Sequence, residues 1–198
     1  MFPEFKNVTF NTAPYKYFTS SPNINDECTE ELLNWFEFKA PWKLVETDFY
    51  EQYEFSLNSC EDLGYAQFLI DEKTLFSIRT QVERLFEIEL IEYVEVVAHK
   101  LVKGQTIRIH NDFLGEQDSE THRVLLQLNR GFEDSNGGYL MIFNNSQTES
   151  LKEVIPPISG SVQGFEISKD SHHAVSTIHS GERYTIVYSF RKKSENTL

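Results

Sequence analysis

The run Ile109-His110-Asn111-Asp112 sets an imidazole and a carboxylate two residues apart. In an extended chain residues i and i+2 point to the same side. His110 and Asp112 are therefore expected on one side at the end of a strand, where they can take neighbouring corners of a metal's coordination sphere. One further histidine would complete a three-donor face and leave three positions open for exchangeable groups. His172 and His173, side by side, are the candidates later in the chain. Arg183 follows His173 by 10 residues and opens the run Arg183-Tyr-Thr-Ile-Val-Tyr-Ser-Phe190. On a strand, Arg183 and Thr185 share one side, while Tyr184, Ile186, Tyr188 and Phe190 take the other. A planar guanidinium beside a hydroxyl can receive both oxygens of one carboxylate.

These residues need a frame to hold them. Two segments read as helices. Asp26–Lys39 gathers Leu32, Leu33, Trp35 and Phe36 near one stripe, with acids in its first turn and Pro41 just beyond its end. Asp71–Glu89 spaces Leu75, Ile78, Val82, Leu85 and Phe86 by three and four. Trp42–Leu57, rich in aromatics, reads as strand or irregular edge. From Tyr93 the pattern becomes period two. Strands are expected near Tyr93–Lys103, Gln105–His110, Arg123–Leu128, Tyr139–Phe143, Val162–Glu166 and Tyr184–Phe190. Gly104, Asp134–Gly138, Pro156-Pro157, Ser159-Gly160 and Ser180-Gly181 punctuate them. Helices followed by about seven short strands suggest a mostly β sandwich or barrel backed by helices.

The ordered set of motifs resembles the Fe(II)/2-oxoglutarate-dependent oxygenases, in their prolyl-4-hydroxylase-like branch. The resemblance spans roughly Val97 to Phe190. It rests on His110-Asn-Asp112, Val124-Leu-Leu-Gln-Leu-Asn129, Asn136-Gly-Gly-Tyr-Leu-Met-Ile-Phe143, the Gly160…Phe165 strand, His173-Ala-Val and Arg183-x-Thr185. It implies a double-stranded β-helix (a jelly roll, cupin-like) with the N-terminal helices packed on one sheet. It also implies that His110, Asp112 and His173 hold Fe(II). The His-Ala-Val match and the spacing to Arg183 favour His173 over His172. Arg183, helped by Thr185, would hold the distal carboxylate of 2-oxoglutarate, with O2 as co-reactant and ascorbate as an accessory reductant. The implied activity is a dioxygenase, most readily a hydroxylase of an amino-acid side chain in a peptide or protein, turning 2-oxoglutarate and O2 into succinate and CO2. Oxidation of a free amino acid or other small metabolite is the alternative. A non-catalytic jelly-roll module that retains metal is disfavoured, since all three metal residues and the arginine are present.

One departure stands out. Many relatives carry a tyrosine three residues before the first metal histidine, where its phenol helps hold the cosubstrate; here that position is Ile107. Gln127 is a candidate replacement if Leu125, Gln127 and Asn129 share the inner face. Arg108 shares a strand face with His110 and is expected to look toward the pocket, as a grip for an acidic or carbonyl group of the substrate. Arg123 and Arg130 are weaker candidates of the same kind. His179 reads as a surface turn residue, and His99 and His122 are assigned no role.

Length and composition bound the rest. The chain has 198 residues, about one domain. Residues 1–92 are read as helical and strand support, 93–190 as the catalytic core and 191–198 as a charged tail that frays. Aromatics at 14% favour strand packing. The net charge of −13 disfavours nucleic acid as a partner. The imbalance lies wholly between Asp26 and Ala98, with 18 acids against 5 bases. That run reads as solvated helical surface, or as a docking face for a basic partner. The apolar runs are too short to span a membrane, and the first residues lack the pattern of a secretory signal. Cys28 and Cys60 read as reduced thiols, so a cytoplasmic location is expected. The oligomeric state is left unassigned.

Overall fold

Alternation along one strand organises the molecule. In β12 (Arg183–Phe190) every residue is buried, but the two faces meet different neighbours. Tyr184, Ile186, Tyr188 and Phe190 join the core under the helices, whereas Val187 joins a second cluster between two sheets. Arg183 and Thr185 sit on Val187's side, as strand alternation dictates. The structure, a computed structural model, describes residues 4–115 and 119–193. Residues 194–198 of the tail lie outside it.

The strands are β1 (Lys6–Asn11), β2 (Tyr17–Ser21), β3 (Lys43–Glu46), β4 (Glu51–Ser56), β5 (Glu95–Leu101), β6 (Ile107–His110), β7 (His122–Leu128), β8 (Leu140–Phe143), β9 (Leu151–Ile155), β10 (Val162–Glu166), β11 (His173–Val175) and β12. They form an eight-stranded sheet in the order β1-β2-β10-β7-β12-β5-β4-β3, facing a four-stranded sheet in the order β6-β11-β8-β9. All the strand pairs are antiparallel. This is the layout of a double-stranded β-helix.

Helices α1 (Asp26–Phe38) and α2 (Glu72–Phe86) cover the outer face of the larger sheet. Leu32, Leu33 and Phe36 of α1 and Ile78, Val82 and Phe86 of α2 are buried there against Val96, Ala98, Val124 and Leu126. The caps lie where short polar side chains can satisfy free amides. Asn25 accepts from Cys28 N at 2.8 Å, and Asp71 accepts from Thr74 N at 2.6 Å. α2 stops three residues before the expected Glu89, because Glu87 turns left-handed at φ 57°.

The described residues contain more strands than expected. β1 and β2 read KNVTFN and YFTSS, too polar for an alternating apolar signal. β11 is three residues long and begins at His173. The N-terminal support thus contributes four strands, β1 to β4, to the larger sheet as well as the helices. Cys28 and Cys60 are both free, and among the described residues no helix is long and apolar enough to cross a membrane.

A metal-ligand triad and a buried guanidinium in one cavity

β6 and β11 are antiparallel neighbours, and His173 sits opposite His110, with a register shift between His173 and Val175. Their ring centroids are 4.2 Å apart. Asp112 joins them by a different route from the one its spacing suggests. The strand ends at His110, and Asp112 adopts a left-handed φ of 59°. A local turn, rather than strand alternation, brings its carboxylate back; aspartate tolerates that conformation better than most residues. One ligand atom from each residue lies within 4.8 Å of the others. His110 Nε2 is 3.4 Å from Asp112 Oδ1, and His173 Nε2 is 3.3 Å from Asp112 Oδ2.

The far side of each ring fixes its tautomer. His110 Nδ1 lies 2.9 Å from the Arg108 carbonyl, and His173 Nδ1 lies 2.8 Å from the Ser171 carbonyl. Carbonyls only accept, so both Nδ1 atoms carry the proton and donate. Both Nε2 atoms then turn lone pairs toward a carboxylate. Burial, with His110 beside it, lowers the His173 pKa and keeps that ring neutral. Desolvation would raise the Asp112 carboxyl, but the Arg123 guanidinium beside it holds it well below the ordinary range. Three electron-pair donors without a proton between them call for a cation. Two imidazoles and one carboxylate suit a borderline divalent ion such as Fe(II).

Arg123 on β7 reaches this carboxylate, with Nη1 2.7 Å from Asp112 Oδ2 and Nη2 2.8 Å from Glu120 Oε2. The guanidinium links the ligand carboxylate to a second carboxylate and fixes its direction. Phe49 lies against His110 at 4.7 Å between ring centroids and closes one side.

The triad opens into a cavity of about 330 Å³ between the two sheets. Leu125, Val187, Val97 and Phe165 give it apolar walls, and Arg183 and Thr185 line its polar part. Arg183 is 6% exposed and its Nε has no hydrogen-bond partner among the described residues. Burial alone lowers its pKa to about 10, with no anion among the described residues to offset it. A buried cation without a counter-ion is costly. One in the same cavity as a cation-seeking triad fits a ligand that carries negative charge at its far end.

The other expectations fare unevenly. Leu125, Gln127 and Asn129 do share the inner face, and Gln127 is fully buried. It stands behind Thr185, accepting from the Thr185 hydroxyl at 3.1 Å, rather than lining the cavity. Arg108 does not look into the pocket. Its guanidinium is exposed and donates to the Asp48 carbonyl on the loop before β4. The loop carbonyl is an acceptor within reach on the outer side, and Phe49 takes the place beside His110. Arg123 serves Asp112 and Glu120, while Arg130 binds Glu37 and Glu30 of α1. His172 is half-buried beside the buried His173, and His179 is exposed.

Four cavity residues come from places that carried no expectation. Tyr50 is the bridge partner of Ile107 and brings a phenol to the wall where Ile107 has none. Gln52 and Glu54 of β4 and His99 of β5 line the cavity beside Thr185. Gln52 Nε2 donates to Glu54 Oε2 at 3.0 Å, and His99 Nε2 is 3.8 Å from the same oxygen. Burial, helped by Arg123 and Arg183, pushes His99 down to about 3. The signal for His99 was its alternation with Val96 and Ala98, which needed the outer face of β5 to be known first.

Residues 95–191 match the family described as the 2OG-Fe(II) oxygenase superfamily. Among curated proteins none matches the sequence. Solved structures resemble the chain in fold. A prolyl-4-hydroxylase from Pseudomonas putida superimposes with a TM-score of 0.73 at 16% identity, over 90% of this chain and 93% of its own. A prolyl hydroxylase from Trichoplax adhaerens, in complex with a hypoxia inducible factor oxygen degradation domain peptide fragment, gives 0.65 at 13% identity, over 88% and 82%. A viral collagen prolyl hydroxylase from Paramecium Bursaria Chlorella virus-1, as a 2OG complex, gives 0.60 at 15% identity, over 88% and 95%.

Proposed function

Because the chain belongs to the 2OG-Fe(II) oxygenase superfamily through residues 95–191, we propose that it hydroxylates an amino-acid side chain within a peptide or protein. The observation that carries the cosubstrate half is the buried, uncompensated Arg183 in the cavity of the triad. His110, Asp112 and His173 would hold Fe(II), and Arg183 with Thr185 would receive the distal carboxylate of 2-oxoglutarate. When bound, these groups and O2 supply the oxidising power for an unactivated C–H bond, with succinate and CO2 as by-products.

The chain's own part is positioning and exclusion. The Ser171 and Arg108 carbonyls keep the imidazoles aimed, and Arg123 keeps the carboxylate aimed. Leu125, Val187 and Phe165 keep water from the space between triad and guanidinium. The peptide half is supported by the mouth. A second cavity of about 480 Å³ shares Phe49, His110, Asp112 and Arg123 with the first and opens outward. Phe113 and Leu114 stand at its rim, 49% and 73% exposed. An open groove with apolar residues at its rim suits a length of chain better than an enclosed metabolite. The likeness to a peptide-bound prolyl hydroxylase points the same way.

The test is succinate formation from 2-oxoglutarate with Fe(II) and O2, stimulated by pools of short peptides or by free amino acids. Stimulation by peptides and a mass gain of one oxygen on the peptide are expected. Stimulation by free amino acids alone would move the substrate to the small-molecule class.

A further inference from the structure

A chain of hydroxyls and amides crosses the inner face of the larger sheet and ends at the cavity. Thr185 Oγ1 donates to Gln127 Oε1 at 3.1 Å. Gln127 Nε2 donates to Gln163 Oε1 at 2.8 Å, and Gln163 Nε2 donates to Ser161 Oγ at 2.9 Å. None of the four residues is more than 5% exposed. Gln163, Gln127 and Thr185 lie on the adjacent strands β10, β7 and β12. Of the four, only Thr185 lines the cavity.

A hydroxyl has one proton to give. With the bonds in this direction, Thr185 commits its proton to Gln127 and turns only lone pairs toward the cavity. It cannot then donate to a carboxylate. At the other end the Ser161 proton meets no protein acceptor among the described residues. Turning both amides over reverses every bond. Ser161 then donates to Gln163 Oε1, Gln163 Nε2 to Gln127 Oε1, and Gln127 Nε2 to Thr185 Oγ1. The bond count is unchanged, and the free proton has moved from Ser161 to Thr185. With nothing bound, the two directions are close in energy. An anion at Thr185 favours the second by one charge-assisted hydrogen bond.

We propose that Gln127 and Gln163 are positioning residues for the cosubstrate, forming a reversible relay whose direction decides whether Thr185 can donate to the distal carboxylate. The relay rests on the proposed binding of 2-oxoglutarate at Arg183, and it gives Gln127 a role through Thr185 instead of a direct contact. The carboxylate thereby gains a neutral donor beside the guanidinium, both from β12.

An ionised glutamate can only accept, so Gln163→Glu holds Gln127 in the first direction and keeps the Thr185 proton committed. Gln163→Met makes no such demand. The probe is 2-oxoglutarate, titrated calorimetrically into Mn(II)-loaded protein. Gln163→Glu is expected to bind it about tenfold or more weakly than Gln163→Met, with Mn(II) affinity equal in both. The gap should close in a Thr185→Val background. It should also close for 2-oxopentanoate, which lacks the distal carboxylate. Gln127→Glu likewise keeps the Thr185 proton committed, with Gln163 turned over to donate to it, and serves if Gln163→Glu does not fold. Equal affinities for the Glu and Met variants, or a gap that persists with Thr185→Val or with 2-oxopentanoate, would overturn the relay alone. Failure of the parent protein to bind 2-oxoglutarate would overturn the proposed function and the relay with it.

Discussion

Replacing Arg183 with methionine should make the ligand-free protein more stable and nearly abolish cosubstrate binding. The guanidinium is buried and its Nε is unpartnered. Burial lowers its pKa from the ordinary arginine range to about 10. At about 1.4 kcal/mol per pKa unit, the folded state carries about 3 kcal/mol of unrelieved desolvation. That cost is present at every pH below about 10, because the unfolded chain keeps the charge in water. Methionine has a similar reach and no charge, so the metal-free variant should gain about 2 kcal/mol in urea unfolding. The opposite sign applies to the ligand. Breaking a buried guanidinium–carboxylate pair costs about 3–5 kcal/mol, which corresponds to a roughly 150- to 5,000-fold rise in the Kd for 2-oxoglutarate. Saturating 2-oxoglutarate should stabilise the Mn(II)-loaded parent by about 2.7 kcal/mol at a hundredfold excess over Kd and leave the variant unmoved. Unfolding curves in EDTA and calorimetric titration of 2-oxoglutarate read the two effects separately. A variant that is less stable without ligand, or that binds 2-oxoglutarate within about threefold of the parent, refutes the reasoning.

Arg123→Gln should weaken Mn(II) binding by about 10- to 100-fold, because the Asp112 carboxylate loses the group that aims it; metal titration reads this, and an unchanged affinity would release Arg123 from that role. His173→Ala should abolish stoichiometric metal binding while His172→Ala keeps it, and the reverse pattern would exchange their assignments. Stability should also fall as pH drops. Burial holds His99 and His122 at about 3 and about 4, so they stay neutral in the folded chain. The unfolded chain takes up protons below about pH 6.5, so it binds more of them than the folded chain does. From about pH 7 to about pH 5 the pair should cost about 3 kcal/mol, after discounting His99 for its partial exposure; urea midpoints that stay flat over that range contradict this.

The parts of the site that were legible are those with strict periodicity. The two faces of β12 follow from its alternation, and with them Arg183 and Thr185 against Tyr184 and Ile186. His110 and His173 each sit in a strand, although β11 is too short to be recognised as one. Asp112 meets the two imidazoles by a local geometry other than the expected one, since spacing of two does not distinguish an extended chain from a left-handed turn. What stayed hidden depends on pairing between distant strands. Gln52, Glu54 and His99 meet Thr185 only because β4 and β5 extend the larger sheet beside β12. Arg108 lay on the expected strand, but a long side chain follows the nearest acceptor, and the Asp48 carbonyl belongs to a loop whose path the sequence does not fix. The acidic run of the first half is spread over helices, strands and loops; Glu30 and Glu37 of α1 hold Arg130, and one member, Glu54, reaches the cavity.

A crystal structure of the protein with Mn(II) and 2-oxoglutarate, with the metal located by anomalous scattering, tests the central claim most directly. One metal ion bound by His110, Asp112 and His173, with the distal carboxylate of 2-oxoglutarate on Arg183, is the predicted result. A metal bound away from those three side chains, or a cosubstrate that leaves Arg183 unpaired, would contradict the account.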